Sequence, residues 1–489
     1  MALHKSDDNV KKIVVCGNGL AAQMTVCALA RQLPDQIQLT WLRIAGSEQS
    51  DIFYGNTAPP ATYEFNLNLG ISEPELLSGS EASFSFGTRY QNWGGAAWTQ
   101  CFQQPLPIID GVLFHHYLSQ QNIFELEPFL VSAVAAQKGA FAHPPEDRRH
   151  ALSRAEYGYH IDPLDWGRFF ERMVPRDRVD IAAGEIADIV VHDGDIETVR
   201  LSDGRELVAD LYVDGSGAGA VFLSSLGVVF KAERRLAAHM QYRPLSGAEG
   251  VVRTLTGCDF GWVSDTPLQS HVATLTVFDP QMPGQAALIA VPEGAAVAEV
   301  PIGRHPIAWA GNCVAIGQAA GVVEPLTAAP VVLLIRDVDR LLSLLPNTRD
   351  MRVESREFNR QYDEDYRNAG LFHRAFYEGH AFPDTSYWRA ARAQPIDERL
   401  SAKLAQFESR GLHVAYDLEP FTQEDWLILS YGMGRRPGRY DRIADRADRD
   451  RVRQFLSGMR QDIERCVSAM PNHTDYMQNF MRYLRQQET

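Results

Sequence analysis

The chain has 489 residues, 45% hydrophobic and 22% charged, as in ordinary soluble globular proteins, and it is long enough for two or more lobes. Its formal net charge of −15 argues against broad binding of nucleic acid or of an anionic membrane surface. The polar start, the lack of long apolar runs and six scattered cysteines predict a reduced cytoplasmic protein without signal peptide or transmembrane helix.

A nucleotide-binding motif lies near the N-terminus, between a short apolar run and a helical run that Pro34 stops. The first glycine would make a tight turn, the second would let the backbone approach a pyrophosphate, and the last alanine would let the helix pack on the strand. The pyrophosphate would lie at the unpaired N–H groups of the helix N-terminus. The strand and helix contexts favour a dinucleotide over a plain βα turn. The motif residues are Gly17, Asn18, Gly19, Leu20, Ala21 and Ala22.

The second predicted strand, residues 37–42, ends at Arg43. Dinucleotide folds usually carry an acid at this point, which binds the ribose hydroxyls. Arg43 could contact a phosphate or could be a solvated loop charge, and the sequence leaves both alternatives open. Ribose recognition must therefore differ from the usual pattern.

The middle of the chain alternates between strands and loops. Residues 84–93 alternate aromatic and polar side chains and predict one strand, and the pair at 115–116 consists of two histidines with a structural rather than a metal-binding role. Further strands are predicted at 186–191, 196–201 and 207–213, joined by the hairpin turns Asp193-Gly194 and Asp203-Gly204.

A second strand and glycine turn follow at residues 309–321, including Gly317, and lead into a helix that extends to residue 345. The remainder is helical and charged, with amphipathic helices at 451–469 and 475–487. One cofactor domain is thus visited three times by the chain, a layout that favours FAD over NAD.

We predict an α/β fold with an FAD-binding Rossmann-type domain, like those of glutathione reductase and p-hydroxybenzoate hydroxylase, a β-rich substrate insert and an α-helical C-terminal lobe. The predicted segments are the FAD-binding domain in three parts (1–100, 171–230 and 301–345), a substrate-lobe insert (101–170), a β insert (231–300) and the helical lobe (346–489).

Over nearly its whole length the chain resembles the flavin-dependent tryptophan halogenases. The resemblance rests on the first glycine motif, on residues 84–93 and on 203–217. It rests further on Gly311-Asn312-Cys313-Val314-Ala315-Ile316-Gly317, on Glu324-Pro325-Leu326, and on the C-terminal stretches 440–445 and 470–475. The family forms hypohalous acid from reduced flavin, oxygen and a halide, and a lysine relays the halogen to an aromatic substrate.

Four halogenation features of the family are altered in this sequence. The lysine position is Ser85, and the glutamate that assists halogen transfer is replaced by Thr327. Pro330, which has no N–H, takes the place of a glycine in the chloride site, and Ser264 replaces the second tryptophan of the Trp-x-Trp-x-Ile-Pro motif. A serine hydroxyl cannot form a chloramine or act as a permanent cationic donor. Joint loss of the four predicts a different chemistry.

The resemblance places the flavin against Leu326 and Val331, its adenine near Ile186, and Ser85 and Thr327 in the tunnel between flavin and substrate. We therefore expect an FAD-dependent oxidoreductase that oxygenates or oxidises a small aromatic substrate. A separate flavin reductase would supply reduced FAD, and a homodimer is left open. The alternatives are a halogenase with a rebuilt halide site and a non-catalytic flavin-binding or partner-binding remnant.

Overall fold

The computed structural model of the protein describes residues 9–247, 249–281, 289, 291, 296–379, 382–393 and 395–487. Two large sheets and a set of packed helices form the core. The helices are α1 (Leu20–Gln32), α2 (Ala61–Asn68), α3 (Glu73–Gly79), α4 (Phe114–Gln120), α5 (Val131–Gln137), α6 (Pro163–Met173), α7 (Val221–Ser225), α8 (Ala329–Ser343), α9 (Arg352–Ala375), α10 (Ser386–Ala393), α11 (Glu398–Arg410), α12 (Gln423–Gly432), α13 (Arg449–Ser468) and α14 (His473–Gln487).

The strands are short, except for one of 14 residues in the second sheet. They are β1 (Lys12–Cys16), β2 (Gln38–Arg43), β3 (Thr57–Ala58), β4 (Ser83–Ser85), β5 (Gly87–Gln91), β6 (Trp98–Cys101), β7 (Ile108–Ile109), β8 (Val112–Leu113), β9 (Gly158–His160), β10 (Val179–Ala183), β11 (Ile186–His192), β12 (Asp195–Leu201), β13 (Glu206–Leu207), β14 (Leu211–Asp214), β15 (Lys231–Pro244), β16 (Arg253–Cys258), β17 (Gly261–Pro267), β18 (His271–Phe278), β19 (Ala298–Arg304), β20 (Trp309–Ala310), β21 (Cys313–Ala315) and β22 (Gly321–Val322).

The first sheet has the order β10-β2-β1-β14-β21-β20, and all its pairs except β20 with β21 are parallel. The predicted strand-turn-helix unit at the N-terminus is confirmed as β1 and α1, and the predicted return of the chain to this domain near residue 310 is confirmed as β21. Because parallel strands end at the same edge of a sheet, the loops after β1, β2, β14 and β21 meet there. This edge is where the fold builds its candidate cofactor site.

The second sheet has eight strands in the order β22-β19-β15-β18-β17-β16-β5-β6. Most of these strands come from residues 231–304, the predicted β insert, but β5 and β6 join them from the first hundred residues. The loop before α8 and the helix α9 lie against this sheet, and their buried aromatic side chains pack into one hydrophobic cluster with it. The reaction cavity described below lies at this boundary.

Two strand predictions were wrong in detail. Residues 84–93 form β4 and β5, in different sheets, because Gly87 adopts φ +130° and a side chain there would overlap the backbone of the neighbouring strand β6. Residues 207–213 also divide, between β13 and β14. Asp210 lies between these two strands and accepts hydrogen bonds from the backbone of Lys11 and Lys12, which directs the chain from one sheet to the other.

Other local predictions hold. The turn at Asp193-Gly194 joins β11 to β12 with positive φ at both residues, as the hairpin prediction requires. The two histidines at 115–116 lie on α4, where His115 Nε2 is 2.6 Å from the Gly411 carbonyl oxygen and His116 Nδ1 accepts from the Asp441 N–H. Within the described ranges, no helix combines the length and apolarity that crossing a bilayer requires.

Candidate functional site

The first glycine motif forms the turn between β1 and α1, as predicted. Gly17 has φ +130°, and a side chain there would overlap the carbonyl oxygen of Gly215 in the turn after β14. Gly215 in turn packs directly on Ala22, where any added Cβ would lie 3.0 Å from the Ala22 backbone. The motif therefore packs two strands and a helix tightly together, and this packing alone explains its residue pattern.

The N–H groups of this turn already have side-chain partners. The Leu20 N–H donates to the Asp51 carboxylate over 2.7 Å, and the Asn18 N–H donates to the Ser47 hydroxyl over 2.6 Å. Asp51 also packs closely against Gly19. A Cβ at Gly19 would lie 2.7 Å from Asp51 Oδ1, so a side chain there would clash with the carboxyl group. The Asp51 carboxyl group thus occupies the helix N-terminus where the sequence predicts a pyrophosphate.

Asp51 belongs to the 3-10 helix Ser47–Tyr54, called here the 47–54 segment. The side chain of Asp51 is only 3% exposed, and burial raises its pKa to about 8, against the lowering effect of the Leu20 N–H. The other end of the segment reaches the second glycine turn, where the Gln318 N–H donates to the Tyr54 hydroxyl over 3.1 Å. A side chain at Gly317 would overlap this hydroxyl. The segment therefore bridges both glycine turns.

Arg43 is the last residue of β2 and is half-buried, so it is not a solvated loop charge, and its predicted contact with a phosphate stays a prediction. Its guanidinium donates to Glu171 over 2.8 Å and to Asn18 over 2.9 Å, and it stacks on Trp41 at 4.7 Å. Glu171 lies on α6, 128 residues away in the chain, so an acid does reach the end of β2 from a distant helix. No local sequence pattern predicts this contact between Arg43 and Glu171.

The remaining predicted cofactor residues lie where the fold requires hydrophobic packing. Leu20, Ala21, Ala22, Leu326 and Val331 are each no more than 2% exposed. Ile186, at the start of β11, is half-buried beside a separate hydrophobic cluster behind the first sheet.

A cavity of about 270 Å³ lies between the loop before α8, the second sheet and α9. Thr327 and Ala328 form one side, aromatic rings another, and Glu156 and Asp425 a third. Burial raises the pKa of both carboxyls. The residues that line it are Thr57, Pro59, Pro60, Ala61, Gly87, Thr88, Tyr90, Gln100, Phe102, Gln103, Glu156, Thr327, Ala328, Val332, Ile335, Arg336, Phe372, Pro420, Phe421, Thr422 and Asp425.

Several polar atoms on this cavity have no protein partner, among them the Thr57 hydroxyl and the side-chain nitrogen of Gln103. The cation that lines it, Arg336, is bound to Asp365. The cavity therefore combines apolar walls with a few uncommitted hydrogen-bonding groups and an acidic side, the pattern of a small-molecule site.

A buried polar cluster fixes the loop that carries Thr327. The Glu324 carboxylate accepts from Trp262 over 2.7 Å, from the hydroxyls of Tyr377 and Tyr387, and from Arg234. The fully buried Arg253 donates to the carbonyls of Pro325 and Leu326. The retained tryptophan and the retained Glu-Pro-Leu therefore have a structural role: they position the cavity wall.

The sequence profile of the family described as "Tryptophan halogenase" matches residues 12–449. The chain belongs to the tryptophan halogenase family. Among its curated relatives, it is similar to the 7-chloro-L-tryptophan 6-halogenase KtzR of Kutzneria sp. (strain 744), with 24% identity over 81% of this chain and 85% of that one. The tryptophan 7-halogenase RebH of Lentzea aerocolonigenes is 22% identical over 82% of each chain.

Solved structures show the same fold. BrvH, a flavin-dependent halogenase from Brevundimonas sp. BAL3, superposes with a TM-score of 0.87 at 25% identity, covering 96% of this chain and 99% of that one. Xcc4156, a flavin-dependent halogenase from Xanthomonas campestris, gives the same TM-score at 24% identity, covering 96% and 98%. The expected α/β fold of a flavin-dependent family, with its FAD-binding Rossmann-type domain, is confirmed.

Within this tryptophan halogenase fold, the two predicted catalytic positions differ in their surroundings. Thr327 lines the cavity, and its hydroxyl is 3.0 Å from His373 Nε2 and accepts from the Ala329 N–H over 3.1 Å. Ser85 does not line this cavity: it is fully buried, and its hydroxyl accepts from the Gly87 N–H over 3.1 Å. Of these two residues Thr327 alone lines this cavity, and the placement of both in one tunnel stays a prediction.

The start of α8, where the resemblance places the family's halide, offers few free backbone donors at residues 329–331. The Ala329 N–H is engaged by Thr327, Pro330 has none, and the Val331 N–H donates to the Ala328 carbonyl. Burial lowers the pKa of His373 to about 3, so the neighbouring imidazole is neutral and supplies no positive charge. A buried anion here would lack the paired donors that it needs.

Proposed function

We propose that this member of the tryptophan halogenase family is an FAD-dependent oxidoreductase that oxygenates or oxidises a small aromatic substrate without the lysine mechanism. The observation that carries the proposal is the cavity of about 270 Å³ beside Thr327. It offers space for a small aromatic substrate, and Ser85 and Thr327 stand at the positions that the resemblance aligns with the family's lysine and glutamate. A separate flavin reductase would supply reduced FAD.

The cavity walls favour a neutral or cationic substrate over an anionic one. Glu156 and Asp425 place carboxyl groups on one side, and Arg336 is neutralised by Asp365. An aromatic body would pack against Phe102, Phe372 and Phe421. Indole or tryptamine should therefore bind better than indole-3-acetate.

The protein has backbone N–H donors that could bind the phosphates of FAD, although Asp51 occupies part of the same space. The Leu20 N–H at the start of α1 fits a phosphate oxygen, since it already donates to a carboxyl oxygen of Asp51. When bound, reduced FAD would activate oxygen. The chain's own contribution would be to exclude water from the cavity and to orient a substrate hydroxyl or N–H at Thr327.

A product assay tests this proposal. The protein is incubated with FAD, a flavin reductase, NADH, oxygen and indole or tryptamine, with and without bromide, and products are identified by mass spectrometry. We expect an oxygenated or dehydrogenated product that does not depend on bromide. A brominated product, or trapping of free hypobromous acid by a dimedone-type reagent, would contradict it.

A halogenase with a rebuilt halide site is the second candidate, because the named relatives are halogenases. The same assay distinguishes it through its brominated product. A non-catalytic remnant is the third, and the carboxylate on the Leu20 N–H favours it. Failure of the folded protein to take up FAD under any condition would support the remnant.

A further inference from the structure

The 47–54 segment lies where the phosphates of a dinucleotide would bind. Asp51 accepts from the Leu20 N–H and fills the space beside Gly19, and Ser47 accepts from the Asn18 N–H. These are the anion-binding donors of the cradle, and a phosphate cannot use the Leu20 N–H while Asp51 holds it. The N–H donors therefore suit a phosphate, but the space that the phosphate needs is occupied by Asp51.

The segment is tied to the second glycine turn by separate bonds. The Tyr54 hydroxyl accepts from the Gln318 N–H, and the Gln318 side chain donates to the Ser50 carbonyl over 3.0 Å. Phe53 is fully buried in the hydrophobic cluster of the second sheet. These contacts anchor the end of the segment, and displacing them would cost free energy that a ligand must supply.

The start of the segment borders open space on one side, although Ser47 and Ser50 are buried and pack against Gly217. Gly46, which precedes it, has φ +84°, and a Cβ there would contact only the Gln49 side chain. A cleft of about 310 Å³ borders this half and is lined by Ser47, Ser50, Ser216 and Gly219, among others. Release of Asp51 from the cradle would require a rotation of the chain about Gly46, with Ser47 and Ser50 leaving their contacts with the turn at Gly217.

We propose that the 47–54 segment is an internal competitor for the cofactor, and that Asp51 must leave the Leu20 N–H before FAD binds. The proposal concerns access to the cradle and depends on FAD as the cofactor, but not on the reaction. In the FAD-free protein the segment closes the cradle. Binding of FAD is weakened by the fraction of molecules in which the cradle is closed.

The test is a titration of the full-length protein with FAD, followed by flavin fluorescence. We expect Asp51→Ala to bind FAD at least tenfold more tightly than the wild-type protein. ADP, which carries the two phosphates without the flavin ring, should gain affinity in the same variant. Asp180→Ala, which removes an exposed carboxylate from β10, is the matched control and should bind as the wild type does.

A second measurement needs no substitution. Hydrogen exchange of the wild-type protein with saturating FAD should speed up at the amides of residues 47–51, because the segment leaves the cradle. Equal FAD affinity of wild type and Asp51→Ala, or unchanged exchange in the segment, would overturn the proposal. Tight binding by Asp51→Ala without turnover would refute the proposed function alone. Binding by neither protein would refute both.

Discussion

The cradle between the two glycine turns and the cavity beside Thr327 differ from the family's pattern in opposite ways. The cradle keeps its motif, but a segment of the chain itself fills the space. The cavity offers space for a ligand, while the residues that the resemblance aligns with the family's lysine and glutamate are Ser85 and Thr327. The glycine motif therefore shows how β1, α1 and the turn after β14 pack together. The cavity beside Thr327 shows how large a ligand the protein can bind.

The largest effect should come from Gly17→Ala. The substitution puts a Cβ against the Gly215 carbonyl at φ +130°, and we expect it to lower the free energy of unfolding of the FAD-free protein by about 3–5 kcal/mol. Urea denaturation measures this. Gly219→Ala, where a Cβ meets no neighbour within 4 Å, is the control and should change stability little. If Gly17→Ala lost FAD binding but kept full stability, the motif would serve the ligand rather than the packing of the fold. That result would contradict the structural role given to the motif here.

The next effect tests the cavity side of the comparison. Ser85→Lys would restore the family's lysine, but the position is fully buried and outside the cavity lining. We expect about 3 kcal/mol of destabilisation and no brominated product, because an ammonium at this buried position loses its hydration. Ser85→Ala should lower the free energy of unfolding by only about 1 kcal/mol, because the Gly87 N–H loses the hydroxyl that accepts its hydrogen bond. A stable, brominating Ser85→Lys protein would show that the lysine site survives.

The sequence predicted the features that depend on local backbone conformation. It did not predict the contacts between residues that are far apart in the chain. The β1–α1 turn and the hairpin at Asp193-Gly194 follow from local backbone chemistry, and both are present. The Glu171 partner of Arg43 and the Asp51 carboxylate on Leu20 are brought in by tertiary packing. A motif search gives no weight to residues outside the motif, so the closed cradle could not be foreseen.

The pH dependence of FAD binding sharpens the comparison further. Burial raises the pKa of Asp51 to about 8 in the closed cradle, with Glu48 adding to the rise, whereas a released carboxyl has its ordinary pKa of about 3.9. The neighbouring Tyr54 hydroxyl stays neutral, since its pKa is raised well above the usual value. Release of the segment therefore loses a proton between these pKa values.

The closed state is consequently favoured at low pH and loses this advantage as the pH rises towards 8. We expect FAD affinity to rise by up to about tenfold per pH unit between pH 6 and pH 8, and to level off above. Titrations of FAD at several pH values measure this, and Asp51→Ala should show a flat profile over the same range. A rising profile in that variant would assign the effect to another group.

The smallest effect concerns the cavity wall itself. Thr327→Val keeps the shape of the side chain but leaves the Ala329 N–H without its acceptor and removes the partner of His373. We expect the free energy of unfolding to fall by about 1–2 kcal/mol, while Thr327→Ser should keep most of it because the hydroxyl remains. If Thr327 also orients the substrate, kcat/KM in the product assay should fall in the valine variant and recover in the serine variant. Equal kcat/KM in all three proteins would leave Thr327 with a structural role only, and the orienting group would then be sought among the uncommitted polar atoms of Thr57 and Gln103, on the same cavity.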